Sequence, residues 1–188
     1  MAKHYVCRAI TENPSYMQAQ VKVPAADELH AGHVVVAEVL DATIAGNYSV
    51  YAPTKVADIT KDSLAIILDG GFETLADGRR PAGNPDYTQY TFKAGEVATA
   101  MRLLPETRYE LSIDACGETV AAQTIVPGDN LIPEVGKYEL AYSAKNSAVT
   151  AKNYLTVEAV KYFRLGGKSG AEFAQTMVVR AKATDATA

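Results

Sequence analysis

The chain has 188 residues, a formal charge of −4 at pH 7 and an isoelectric point near 5.4. An acidic chain of this size lacks the lysine and arginine excess that nucleic-acid-binding proteins present to phosphates, so we expect no nucleic-acid partner. Its longest apolar runs are far shorter than the ~20 residues of a membrane-spanning helix, so we expect no membrane partner. The length predicts one domain.

The N-terminal sequence, MAKHYVCRAITENPSYM, has no unbroken apolar segment of the kind found in secretory signals. We therefore expect a soluble protein made in a cytoplasm. The two cysteines, Cys7 and Cys116, lie far apart in the sequence. A reducing compartment predicts two reduced, partly buried thiols, although spacing alone leaves a disulfide between them open.

Residues 1–28 contain short apolar alternations interrupted by Asn13-Pro14-Ser15 and by Pro24, which favour extended backbone and turns. We predict an extended N-terminal arm over 1–28, with one helical turn over 25–30. Gly32 then introduces a run rich in β-branched residues, and it predicts a buried strand over 33–40.

The segment from 48 to 88 combines short strand-like runs with a long loop. Residues 48–52 predict a short strand, and 57–68 a short helix followed by a strand. Residues 76–88 are dense in Gly, Pro, Asn and Asp, which predicts a long surface loop with Arg79 and Arg80 at its apex.

Two strand-like runs, 97–104 and 108–113, are separated by Pro105-Glu106-Thr107 and together resemble a hairpin. The second run alternates, with Tyr109, Leu111 and Ile113 on one face. Period-two alternation is typical of a strand with one buried face and one exposed face.

The C-terminal part predicts strands over 120–126 and 138–144, then a closing hairpin of 155–165 and 173–182. Residues 183–188 are small and polar, and we predict a flexible tail there. The pattern as a whole predicts a single mostly-β domain, a barrel or sandwich with little helix. Its core is 29–182, flanked by the arm and the tail.

Two patterns resemble functional motifs. Gly167-Lys168-Ser169 resembles the end of a phosphate-binding loop, but Tyr162 stands where that motif needs a glycine. His30 and His33 have the spacing of a helical metal pair, yet Gly32 argues against a helix and no conventional ligand lies nearby. We interpret the two histidines as exposed or capping residues.

Other catalytic patterns are missing from the sequence. It has no Gly-x-Ser-x-Gly elbow and no Ser-x-x-Lys pair, and its acidic residues are scattered near turns. We therefore expect no catalytic residue, no cofactor and no metal site, and a protein that is not an enzyme.

Tyrosine is enriched at protein interfaces because its ring is apolar and its hydroxyl is polar. Tyr5 and Tyr16 lie in the predicted arm, where no core demands them. The residues that we expect to contact a partner belong to the arm and the long loop: Lys3, Tyr5, Val6, Tyr16, Val21, Arg79, Arg80 and Tyr87.

Several segments in order resemble the capsid decoration (cement) proteins of tailed bacteriophages: Leu29-His30-Ala31-Gly32-His33-Val34-Val35, Phe92-Lys93-Ala94-Gly95-Glu96 and Val178-Val179-Arg180-Ala181. The resemblance implies a non-enzymatic, β-rich virion protein on the outer surface of an icosahedral capsid. It also implies that the major capsid protein is its partner, and that it sits there as a trimer or dimer. On this interpretation residues 1–23 and the 76–88 loop supply much of the contact, the arm by adding a strand to an exposed sheet edge.

Two alternatives stay open. One is another virion or surface structural module, such as a tail or fibre component, which shares the β-strand patterning. The other is a β-barrel small-ligand binder or an enzyme of uncommon type, which would need a large apolar pocket with convergent polar groups.

Overall fold

The fold is mostly β, as the sequence predicts, and it includes a closed barrel. The computed structural model describes residues 3–10, 18–43, 49–59, 64–69, 90–165 and 172–184. The strands of these residues are β1 (Cys7–Ala9), β2 (Gln18–Lys22), β3 (Leu29–His30), β4 (Val34–Leu40), β5 (Val50–Thr54), β6 (Leu64–Ile67), β7 (Thr91–Phe92), β8 (Val97–Arg102), β9 (Arg108–Ser112), β10 (Asn130–Pro133), β11 (Leu140–Ser143), β12 (Asn153–Leu165) and β13 (Glu172–Ala183).

Five strands close the barrel in the order β2-β5-β4-β6-β8. Its neighbours are antiparallel except β2 and β5, which are parallel. A six-stranded antiparallel sheet in the order β1-β9-β13-β12-β10-β11 forms the second layer. The short strands β3 and β7 pair separately.

Two hydrophobic cores follow from this arrangement. One fills the barrel, and the other, which we call the interlayer core, lies between the barrel and the six-stranded sheet. Strands β4 and β6 border both cores, so each has two buried faces. On β6, Leu64 and Ile66 enter the interlayer core while Ala65 and Ile67 enter the barrel. Double burial explains why these strands read as continuous apolar runs.

The predicted hairpin of 97–104 and 108–113 is wrong in its pairing. Both strands form, but β8 pairs with β2 and β6 in the barrel, whereas β9 pairs with β1 and β13 in the other sheet. Glu106, in the connection, has a positive φ of 70°. The connection therefore carries the chain from one layer to the other.

The segment predicted as a strand over 120–126 begins instead in a short helix, α1 (Glu118–Ala121), which follows a 3-10 turn at Asp114–Cys116. Val120 packs into the interlayer core from this helix. The predicted helical turn over 25–30 is also wrong, because a simple turn there leads into β3. No helix in the described ranges is long and apolar enough to cross a membrane.

The other strand predictions are confirmed with small shifts. Strand β4 matches 33–40, although only its first four residues are buried. Strands β5, β6 and β11 match the runs predicted near them, and β12 and β13 pair as the predicted closing hairpin. The predicted loop 76–88, the Gly167-Lys168-Ser169 segment and the helix residues 60–63 lie outside the described residues.

Candidate contact surface

The hairpin of β12 and β13 extends beyond the sheet to which it belongs. The two strands pair from Asn153↔Ala183 to Leu165↔Glu172. Strand β9 covers β13 only as far as Thr176, and β10 covers β12 only at 155–156. Within the described part of the chain, no third strand pairs with the last four residue pairs, although Ile113 N, just beyond β9, donates to Gln175 O at 3.1 Å. We call these pairs, 162–165 with 172–175, the ribbon; four strand residues extend roughly 13 Å.

Exposure rises along β12 as it leaves the core. Val157 is 1% exposed and belongs to the interlayer core. Val160 is half-buried at its margin, and Tyr162 is 73% exposed. Tyr162 can offer its ring to a partner, and the free edges of the ribbon can offer backbone hydrogen-bonding groups.

Ion pairs stabilise a β-bulge at the base of the ribbon. The register of β12 shifts between Val157 and Ala159, which leaves Glu158 as the extra residue. Its carboxylate binds Arg108 Nε at 2.9 Å and also binds Arg180. The Arg180 guanidinium reaches Glu106 at 3.1 Å as well. Since bulges bend a strand and increase its twist, this ion-pair cluster fixes the direction of the ribbon.

The predicted contact residues fall into different places. Val6 and Val21 are fully buried, so in this fold their side chains are core residues and not surface contacts. Val6 also exchanges hydrogen bonds with Ser112, and Val21 pairs with Ala98 inside the barrel wall. The described parts of the predicted arm include β1, an edge strand of the six-stranded sheet, and β2, a strand of the barrel. Tyr16, Arg79, Arg80 and Tyr87 lie outside the described residues.

Lys3 and Tyr5 are the predicted contact residues that the structure leaves accessible in part. Lys3 Nζ pairs with Glu118 at 3.0 Å across an exposed surface. Tyr5 is half-buried and stacks on His30 with a ring separation of 3.8 Å. Tyr5 thus packs within its own chain.

The prediction that His30 and His33 are exposed or capping is wrong. Their rings lie 3.5 Å apart, and His33 also stacks on Tyr138 at 5.7 Å. Burial lowers the pKa of His30 to about 4 and that of His33 to about 3, so both are neutral at pH 7. Sequence reasoning missed this contact because Tyr138 is more than a hundred residues away.

An open groove of about 440 Å³ lies at one end of the barrel, between Pro24 and Pro53. Its polar side chains bind one another: Lys22 Nζ lies 3.4 Å from Asp41 and 2.6 Å from Thr43. Hydrogen bonds from Thr43 and the charge of Lys22 lower the pKa of Asp41.

Both cysteines are free thiols, fully buried in the interlayer core, where burial raises their pKa. Over the ranges that the structure describes, no three His, Cys, Asp or Glu side chains come together to hold a metal ion. No protein-family model, curated protein or solved structure matches this chain.

Proposed function

We propose that this chain is a non-enzymatic structural protein of a virion, which binds the outer surface of an icosahedral capsid and bridges neighbouring major capsid subunits. The ribbon carries the proposal. It projects from a rigid two-layer body and presents unpaired strand edges together with the exposed ring of Tyr162. The sequence resemblance to capsid decoration proteins supports the same function.

Binding through the ribbon uses strand addition. An extended segment of a capsid subunit pairs with a ribbon edge by backbone hydrogen bonds, and Tyr162 supplies side-chain contact. Lys161, which is exposed beside it, keeps the free edge from pairing indiscriminately. Such a contact is small, but repetition over a lattice makes many weak contacts effective.

The ribbon replaces residues 1–23 as the main contact in this proposal. Deleting the first dozen residues would remove β1 and the core residues Val6 and Cys7, so loss of binding would then report unfolding. Tyr162, which is exposed on the ribbon, can be altered without touching either core. The protein is made in the host cytoplasm and acts on the capsid as a dimer or trimer.

The copy number of this protein in particles from its source, relative to the most abundant shell protein, tests the proposal. We expect a fixed, near-stoichiometric ratio on DNA-filled heads, because a protein that binds only the assembled lattice stabilises it by mass action. A few copies per particle would contradict capsid decoration and assign the protein to the tail or fibres. Absence from purified particles would overturn the virion function altogether.

A further inference from the structure

Four aromatic rings form one continuous stack in the order Tyr5, His30, His33, Tyr138. The ring centroids are 3.8, 3.5 and 5.7 Å apart. Tyr138 and His33 are less than 10% exposed. The stack is therefore an internal feature with two imidazoles at its centre.

The rings come from both layers of the fold. Tyr5 precedes β1 and Tyr138 precedes β11, and both of these strands belong to the six-stranded sheet. His30 ends β3, and His33 directly precedes β4 of the barrel. The stack thus spans the joint between the barrel and the sheet.

Backbone contacts at the joint leave little room for movement. Val34 N donates to the Tyr138 carbonyl at 2.7 Å, and Gly32 N donates to Ile67 O at 2.8 Å. A Cβ atom on Gly32 would lie 2.6 Å from Ala115 Cβ. His33 N also donates to His30 O at 3.2 Å, so the two imidazoles lie in one turn beside these contacts.

The hydrogen bonds of the stack require the His33 ring to be neutral. The His30 backbone N–H donates to His33 Nδ1 at 3.3 Å, so this nitrogen carries no proton. His30 Nδ1 donates to the Ala31 carbonyl at 2.9 Å. A proton added to His33 Nδ1 would face the His30 N–H, which is also a donor, and the acceptor would be lost.

The charged groups around the stack do not stabilise a positive charge on either imidazole. Lys3 acts unfavourably on a charged His30, and Lys55 Nζ lies 5.5 Å from the Tyr138 ring centre. Asp27 accepts a hydrogen bond from the Tyr138 hydroxyl at 2.8 Å, and Glu118 is paired with Lys3. The remaining acids on this side, Asp114 and Glu139, act on Tyr5; in the described part of the chain no carboxylate bonds either imidazole.

We propose that this stack is an acid-sensitive contact between the barrel and the six-stranded sheet. Protonation of His33 opens the joint between them and releases residues 3–10 from β9 and β3, while the barrel stays closed. The two imidazoles cannot both be charged at 3.5 Å in a buried site. Protonation of His30 alone is tolerated better, because Ala31 accepts from it and the Tyr5 ring lies over its face.

The direction of the pH effect follows from proton linkage. Burial lowers the pKa of both imidazoles far below the ordinary 6.5, so the opened state binds more protons than the closed state. The closed joint is fully stable above pH 6.5 and loses stability as the pH falls towards 4 and 3. Between pH 7 and pH 4.5, His33 alone should raise the opening equilibrium on the order of 10²-fold.

Hydrogen–deuterium exchange on the full chain, corrected for intrinsic rates, tests this proposal at pH 7.0, 5.5 and 4.5. We expect amides of 3–10 and 29–33 to lose protection steeply on acidification, while amides of the barrel strands β4 and β8 keep theirs. His33→Asn keeps a side-chain acceptor without a titrating group and should flatten this pH dependence. Tyr138→Phe keeps the ring and should retain it. Equal pH dependence in His33→Asn and the wild type would overturn the proposal, as would simultaneous loss of protection in 3–10 and β8.

If the His33 variant does not fold, a titration of the wild-type protein still tests the proposal. The chain has three histidines, so three imidazole signals are followed in an NMR titration of the wild type, with His4→Asn used only for assignment. Two signals should remain neutral down to about pH 5. A His33 signal that titrates near pH 6.5 in the folded protein would overturn the proposal.

Discussion

The barrel interior and the interlayer core differ in their proportion of small side chains, although strands β4, β6 and β8 border both. Alanines from all but one of the five barrel strands lie in the barrel beside larger residues such as Ile67: Ala19, Ala37, Ala65, Ala98 and Ala100. The interlayer core is richer in leucine, isoleucine and methionine. Neighbouring residues of one strand, such as Ala65 and Ile66, therefore pack into different cores and meet different limits on side-chain size.

The largest expected effect is the loss of a large side chain from the interlayer core. Ile66 is fully buried there, and Ile66→Ala should lower the free energy of unfolding by about 2–5 kcal/mol, because it removes apolar contact and leaves a cavity. Urea unfolding followed by circular dichroism measures it. Ile66→Val serves as the control and should cost only about 0.5–1.5 kcal/mol. A cost for Ile66→Ala below 1 kcal/mol would mean that the layers collapse onto the site.

Comparing Gly32 with Gly95 separates the free-energy cost of steric crowding at the joint from the cost of a positive-φ backbone conformation. Gly32 and Gly95 have similar positive φ values, 91° and 85°, but a Cβ on Gly32 would collide with Ala115 and one on Gly95 would meet nothing within 4 Å. Gly95→Ala should therefore cost about 1–2 kcal/mol from conformation alone. Gly32→Ala should cost clearly more in the same unfolding assay. Equal costs would show that the layers move apart easily.

Overpacking the barrel is the third test. Ala65 is fully buried, and Ala65→Leu should lower the free energy of unfolding by about 1–3 kcal/mol, because the barrel has no space for three more carbon atoms. Its neighbour Ile66, changed to Leu, keeps its volume in the other core and should cost less than about 1.5 kcal/mol. An Ala65→Leu variant as stable as the wild type would contradict the view that alanine is there to fit a narrow interior.

The two thiols report on the interlayer core without any substitution. Cys7 and Cys116 are fully buried, and burial raises the pKa of both. Native protein should therefore react with a thiol reagent only at the rate at which the core opens, far more slowly than the unfolded chain. Rapid labelling of either thiol in native buffer would show that the layers separate readily.

Local patterns in the sequence predicted much of this fold. The alternation of Tyr109 and Leu111 identified β9, and the β-branched run at 33–40 identified β4. The long runs at the C-terminus identified the β12–β13 hairpin. These signals are local, because side-chain period and turn residues act over a few positions.

Features that depend on distant residues were not predictable in the same way. The separation of β8 and β9 depends on distant partners, such as Ala65 beside Arg102 of β8 and Cys7 beside Leu111 of β9, which adjacent residues do not specify. Period-two alternation places Ser112 on the face opposite Tyr109 and Leu111, yet Ser112 is buried, because its hydroxyl accepts from Val6 N and donates to the His4 carbonyl. The stack of His30 and His33 with Tyr138 likewise arises only when the two layers meet, and so does the projection of the ribbon.

The smallest effect on stability, and the one that bears most on function, is expected outside both cores. Tyr162 is 73% exposed on the ribbon, so Tyr162→Ala should change the free energy of unfolding by no more than about 0.5 kcal/mol. Its binding to heads that lack the protein should nevertheless fall severalfold in a sedimentation assay, because the ring is lost from the proposed contact. Val135, 55% exposed and beyond the opposite end of β12, supplies the matched control. If Val135→Ala and Tyr162→Ala bind equally well, the ribbon is not the contact surface, whereas the two-core comparison stands unchanged.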